Sequence, residues 1–330
     1  CQQHNLVNPF EQIESYDIYR KLNPYKKKLP LTNLKLKTIE AFVHFTRLDL
    51  FSGEELIQIY ANYLGKVQYE RLQEKIQRQL NTNKTNPVVS PLFNQTNKSQ
   101  NPTSNELLNQ ILLHNLEDIK GLIKVSDILF YVDLFESFTE DSLQNTYKHE
   151  FKIITLTKTI DQSSVLVEMS LPYTLPTSVI WSLSLESLLK NETDLIHFVS
   201  GLTFKLEVFL NRLRLTIPLF HGELKVFYEN YRDYYYLIKE DYAIHQSIAQ
   251  YVDKEYRVKA KPATCYSKKT GNFLPQPVEM FLPALKLTYS DKMYYFEESN
   301  LVNGNVRTKE YINSVIHFIL TNKNTELFTN

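Results

Sequence analysis

The chain has 330 residues, 37 Lys and Arg against 37 Asp and Glu for a formal net charge of zero, and an apolar fraction of 43%, a globular composition long enough for two domains. Only 7 glycines are present, and with neither G-x-G-x-x-G nor a Walker loop the nucleotide-binding glycine motifs are excluded. Cys1 and Cys265 make neither a disulfide framework nor a C-x-x-C zinc pair, and no apolar run is long enough to span a membrane, so the expected location is the cytoplasm.

The first residue is Cys rather than Met. An incomplete chain is the expectation, and its rival is a surface lipoprotein carrying its lipid on Cys1. Against the rival, CQQHNLVNPFEQIESYDIY runs directly into domain-like sequence instead of a polar tether.

Ile13 to Tyr19 reads as a strand edge, and Asn33 as the cap of a helix with Leu36, Ile39, Phe42 and Val43 at helical spacing. Ser52 and Glu55 form a capping box that opens a helix expected to bury Leu56, Ile59, Tyr60 and Tyr63 and to continue through Tyr69, Leu72 and Ile76. Residues 80–105 are dominated by Asn, Thr, Ser, Pro and Lys, too polar to offset the entropy of ordering, and read as an insertion. A second capping box, Thr103 with Glu106, opens a long apolar helix carrying His114 and Asp118.

From about residue 148 the period changes. FKIITLTKT, SVLVEMSLP, SVIWSLSL, TFKLEVFL, RLRLTIPL and GELKVFY have strand lengths and β-branched or alternating character. A tyrosine-dense segment follows, in which Ile244, Ile248, Tyr251 and Val252 predict a helix from Asp241, and Tyr311 to Leu320 forms the last helix. The domains expected are therefore 1–138, with the insertion inside it, and a β-rich 148–330.

His114 and Asp118 stand at i and i+4, so they leave one helix face together. A carboxylate there suits a hard divalent cation, with the imidazole orienting or deprotonating an attacking water. The alternative is structural: Asp118 pairs with Lys120 or Lys124, and His114 is a satisfied core histidine. A second signal is the basic stretch Arg20, Lys21, Lys26, Lys27, Lys28, Lys35 and Lys37, interleaved by Tyr19 and Tyr25, which suits either a phosphate backbone or a solvated face. His197, His221 and His245 lack acidic companions at ligand spacing. Cys265 beside Lys268 and Lys269 is a thiol with no histidine near it in sequence, and the tyrosines from Tyr228 to Tyr256 suit either packing or base stacking.

The Asn-Leu-Lys helix, the Ser-Gly capped helix with its Tyr-x-x-Tyr-Leu turn, and the HNLED helix together resemble the bacterial YprB-type ribonuclease H-like proteins of the DEDD 3′–5′ exonuclease superfamily. DYAIHQSIAQYVDKEYR and CYSKKTGNFLPQ resemble the C-terminal region of some members, so the likeness covers most of 13–136 and 227–277. It implies an α/β fold, namely the C-terminal part of a ribonuclease H-like exonuclease followed by a β-rich α+β domain. It also implies a site of three acidic motifs holding two Mg²⁺ or Mn²⁺ ions. His114 and Asp118 match the third motif, with Asp118 the metal ligand. The first two motifs are expected before residue 1, which makes the chain a fragment inactive as given. The implied partner is nucleic acid, DNA or RNA with single-stranded 3′ ends, met by Arg20, Lys26, Lys27, Lys28, Lys35 and Lys37. The alternative is a non-catalytic nucleic-acid-binding or scaffold protein.

Overall fold

The computed structural model describes residues 16–49, 51–82, 102–138, 152–159, 162–188 and 198–329. The chain divides into two compact units, Leu36–Asp127 and a second made of Cys1–Lys35 with Ile128–Asn330. The architecture mixes helices with sheets whose strand pairings are antiparallel.

The unit boundary differs from the expected division at 138–148, and a few contacts explain it. The basic stretch folds as α1 (Ile18–Leu22) and a 3-10 turn (Asn23–Lys28). The ring of Tyr25 lies 5.4 Å from Phe135 of α5 (Leu129–Glu136), and Trp181 Nε1 donates to the Lys28 carbonyl at 2.9 Å. Buried Leu22 and Leu29 complete the seam. The Asp17 side chain caps α1 by accepting from Arg20 N at 3.0 Å, so a helix begins within the segment where the sequence suggests a strand edge.

Six strands form the main sheet in the order β1-β2-β5-β4-β3-β12: β1 (Lys152–Lys158), β2 (Ser164–Ser170), β3 (Val179–Ser184), β4 (Thr203–Phe209), β5 (Arg212–Pro218) and β12 (Glu326–Thr329). Strand alternation sorts its faces. Val165, Val167 and Met169, Leu213, Leu215 and Ile217, and Phe204, Leu206 and Val208 are buried. Glu168, Arg214 and Glu207 stand opposite one another on the other face, with Arg214 NH2 2.8 Å from Glu168 and NH1 3.9 Å from Glu207, an opposite-charge cross-strand ladder. Helix α7 (Val306–Thr321) packs on β3 and β4, with Phe318 edge-on to Phe204.

Two smaller sheets follow. In the first, β10 (Tyr266–Gln276) lies between β6 (Phe220–Phe227) and β11 (Tyr294–Glu297). In the second, β7 (Tyr234–Leu237) lies between β8 (Tyr242–His245) and β9 (Arg257–Lys259). The helix expected from Asp241 is thus a strand followed by the single turn α6 (Gln246–Ala249). Asp241 itself sits at φ 57° in the β7–β8 turn, a left-handed conformation incompatible with a helix start.

Residues 36–127 contain α2 (Leu36–Phe42), α3 (Gly53–Thr82) and α4 (Ser104–Val125). Both capping boxes form: Ser52 N donates to Glu55 Oε2 at 2.7 Å, and Thr103 N to Glu106 Oε2 at 2.7 Å. α3 runs as far as Thr82 and so includes Tyr69, Leu72 and Ile76, but of the four residues expected to be buried Tyr60 is exposed and Leu56, Ile59 and Tyr63 are only half-buried. α4 is turned the opposite way from a core helix. Leu112, Leu116, Ile119 and Ile123 face solvent, whereas Glu117, Gly121 and Val125 are buried.

Candidate functional site

The inward face of α4 meets the segment that follows α2. Glu40 of α2 is 4% exposed, and Arg47 holds it by Nε at 3.1 Å and NH2 at 2.6 Å. The other guanidinium nitrogen, NH1, donates to Asp118 Oδ1 at 2.6 Å. Buried Glu117 accepts from Leu48 N and from Lys120 Nζ, each at 3.1 Å. His114 pairs through Nδ1 with Asp49 and stands 3.5 Å by Nε2 from Asp118 Oδ2. Gly121 makes this approach possible. A Cβ there would lie 2.8 Å from Glu40 Oε1 and 3.1 Å from the Phe45 ring.

Every charge in this network has a charged or backbone partner, and the pKa directions follow from that. Burial works to raise Asp49, but the Phe51 N–H and then His114 outweigh it and hold the carboxyl below its ordinary value. The Leu48 N–H, followed by Lys120, lowers Glu117. Hydrogen bonding to Glu40, opposed by burial and aided by Asp118, raises Arg47.

His114 and Asp118 are therefore on one face, as their spacing requires, but the partner of Asp118 is Arg47. Lys120 pairs with Glu117 and Lys124 with Asp127. Among the described residues no group of three or more His, Cys, Asp or Glu side chains is placed to hold a metal ion. The donors around Asp118 do not fit a two-ion centre, because a guanidinium occupies its carboxylate. Arg47, Glu40, Asp49 and Glu117 escaped sequence reasoning because 69 and 71 residues separate Leu48 from Glu117 and Arg47 from Asp118.

The basic stretch is dispersed. Arg20, Lys26, Lys27 and Lys35 are exposed in the β-rich unit, while Lys37 belongs to the helical one. Lys28 lies between the Tyr25 and Phe135 rings, 5.4 and 5.5 Å from their centroids, and burial lowers its pKa. It serves the seam rather than the surface.

A third constellation lies on the small tyrosine sheet. Tyr235 of β7 stands opposite Lys259 of β9, whose Nζ is 4.5 Å from the ring centroid, and Arg257 lies at 5.0 Å. Lys239 covers Tyr256 at 4.4 Å. Behind the sheet, Asp241 accepts from the Tyr236 and Tyr266 hydroxyls and pairs with Lys268 at 2.6 Å. Burial works to raise Asp241, and Lys268 and then the two hydroxyls overcome it and hold the carboxyl well below its usual range.

The remaining candidates are accounted for. Cys265 is fully buried and burial raises its thiol pKa, which makes it unreactive. His221 pairs with Asn272 and the Gln162 carbonyl, and His245 caps α6 through Ser247. His197 lies outside the described residues. Compared with protein-family models, with curated proteins and with solved structures, the chain matches none. No described helix is long and apolar enough to cross a membrane.

Proposed function

We propose that the chain is a non-catalytic module that binds single-stranded nucleic acid, with the Tyr235 face of the β8-β7-β9 sheet as its contact surface. The observation that carries this reading is the pairing of Arg257 and exposed Lys259 with one half-buried tyrosine ring on a short three-stranded sheet. An exposed cation–π pair is worth about 0.5–1 kcal/mol, whereas a base stacked on an aromatic ring contributes about 1–3 kcal/mol. A base therefore displaces the flexible lysine from the ring. The freed ammonium then meets the adjacent phosphate and releases its counterion. Exposed Arg20, Lys26, Lys27 and Lys35 belong to the same unit as this sheet.

The nuclease reading implied by the resemblance rests, within this chain, on Asp118 as a metal ligand. With Asp118 bound by Arg47, the geometry favours binding without cleavage. One experiment separates the two: anisotropy of labelled single-stranded DNA and RNA across a salt series, with a parallel cleavage assay in Mg²⁺ and Mn²⁺. The expected result is salt-dependent binding, weakened by about fivefold or more in Tyr235→Ala, with a salt slope shallower by about 0.7 in Lys259→Ala, and no cleavage. Absence of binding at low salt rejects the proposal. Metal-dependent cleavage that disappears in Asp118→Asn replaces it with the nuclease.

A further inference from the structure

A pocket distinct from the Tyr235 face lies where β6 ends. Its volume is about 230 Å³, and its walls are Phe227, Tyr228, Tyr231, Tyr289, Pro262 and Glu229. For scale, a dry cavity of about 150 Å³ accommodates benzene.

The walls are fixed by contacts outside the pocket. Tyr228 stacks on Tyr234 at 4.9 Å and 14°, and its hydroxyl donates to Ser267 Oγ at 2.9 Å. Its backbone N–H donates to the Cys265 carbonyl at 2.9 Å, beside the Pro262–Thr264 turn that carries Pro262. Across the mouth, Lys225 and Lys286 exchange backbone hydrogen bonds at 2.9 Å, which lays the 286–289 segment along β6 and sets Tyr289 edge-on to Phe227 at 5.4 Å and 70°. Tyr231 sits in the Tyr231–Asp233 turn, where the Arg232 guanidinium lies 5.9 Å from its ring.

Four aromatic side chains and one carboxylate line the space, and no lysine or arginine does. Neighbouring lysines are engaged elsewhere, Lys225 over Tyr266 and Lys286 over Tyr294. Ring faces carry negative quadrupole potential, and Glu229 adds a full negative charge, so the pocket repels phosphate and carboxylate and attracts a cation. The cation must also tolerate apolar walls that offer few hydrogen-bond acceptors. An ordinary ammonium or guanidinium finds little there beyond Glu229 and the tyrosine hydroxyls to replace its hydration, whereas a quaternary ammonium has no N–H to satisfy. We infer that this aromatic pocket binds a trimethylammonium group, with Phe227, Tyr228, Tyr231 and Tyr289 as the cage and Glu229 as its counter-charge.

The group occurs in free choline-type molecules and on trimethylated lysine. Titrating the whole protein, by calorimetry and ligand-observed NMR, with choline, with Nε-trimethyllysine and with 3,3-dimethylbutan-1-ol, the uncharged isostere of choline, tests the assignment. Saturable binding of choline or trimethyllysine about tenfold or more tighter than the isostere is expected, because the charge supplies the difference. Choline tighter than trimethyllysine assigns a free headgroup, and the reverse assigns a modified side chain. Tyr289→Ala, at a ring 52% exposed and so tolerant of truncation, should lower the affinity about tenfold, and Glu229→Gln about threefold. Equal affinity for choline and its isostere overturns the inference. So does binding unchanged in Tyr289→Ala with the fold retained by circular dichroism, or no saturable binding of either cation. None of these outcomes depends on nucleic acid, so this inference and the proposed function succeed or fail separately.

Discussion

The main sheet and helix α4 use the same periodic code in opposite senses. In β2, β4 and β5 the apolar residues point inward and the ladder Glu168, Arg214, Glu207 faces out. In α4 the inward face carries Glu117 and Gly121 beside His114, and the apolar row Leu112, Leu116, Ile119 and Ile123 faces solvent. Periodicity tells which residues share a face. Which face is inside depends on what the neighbouring element presents, and here α2 and its following loop present Glu40, Arg47 and Asp49. The two regions are therefore held differently, one by apolar burial and the other by a hydrogen-bonded charge network beside a small apolar core of Ile39, Phe42, Val43, Leu107 and Val125.

The largest test of that contrast removes one member of each core. Arg47→Ala leaves Glu40 buried without its cation and is expected to cost about 3–5 kcal/mol, since a buried charge stripped of its partner retains its desolvation penalty. Leu215→Ala in β5 should cost about 2–5 kcal/mol by transfer and cavity formation. Urea unfolding resolves both. Salt discriminates between them, because Arg47→Ala removes charge pairs and Leu215→Ala removes none. Next in size is Gly121→Ala. Helix propensity alone predicts a gain of about 1 kcal/mol, yet the new methyl meets a carboxylate pinned by Arg47 at 2.8 Å. A net loss of about 1–3 kcal/mol is expected, and a gain would show that the Glu40–Arg47 pair yields freely.

Acid should loosen the helical network in a defined window. The carboxyls of Asp49 and Glu117 titrate below their ordinary values in the folded chain. Their contribution is complete above the unfolded pKa of about 4 and is lost as pH falls through the lower folded values. The difference in urea midpoint between the natural chain and Asp49→Asn should thus be present at pH 6 and shrink at pH 3. A difference that grows on acidification would reverse the sign of the linkage.

Much of the β-rich unit was legible because strand alternation is local. Its six main-sheet strand regions include five that repeat the sequence's own segments from FKIITLTKT to RLRLTIPL, and GELKVFY lies in β6. The capping boxes at Ser52 and Thr103 were equally legible, since each needs only four consecutive residues. Asp118 was correctly grouped with His114, but its partnership with Arg47 is a tertiary fact that no spacing encodes. The tyrosine segment misled for a related reason: Ile244, Ile248 and Tyr251 fit a helical period, while the left-handed Asp241 fixes a hairpin and Tyr235 pairs across to Lys259. Tyr289, which completes the aromatic pocket, comes from a loop far from Tyr228 and was not singled out.

The smallest expected effect is the most discriminating. A helix reading that places the apolar stripe of α4 in a core predicts that Ile119→Gln costs several kcal/mol. In the structure Ile119 is 60% exposed, and glutamine has a helix propensity as good as that of isoleucine or better. The substitution should change the unfolding free energy by no more than about 0.5 kcal/mol in either direction. Dilution separates this from assembly, because a stripe that meets a second molecule would make the cost depend on protein concentration. A small, concentration-independent change would show that the Ile119 side chain contributes little to the fold, as its place on the outward face of α4 requires.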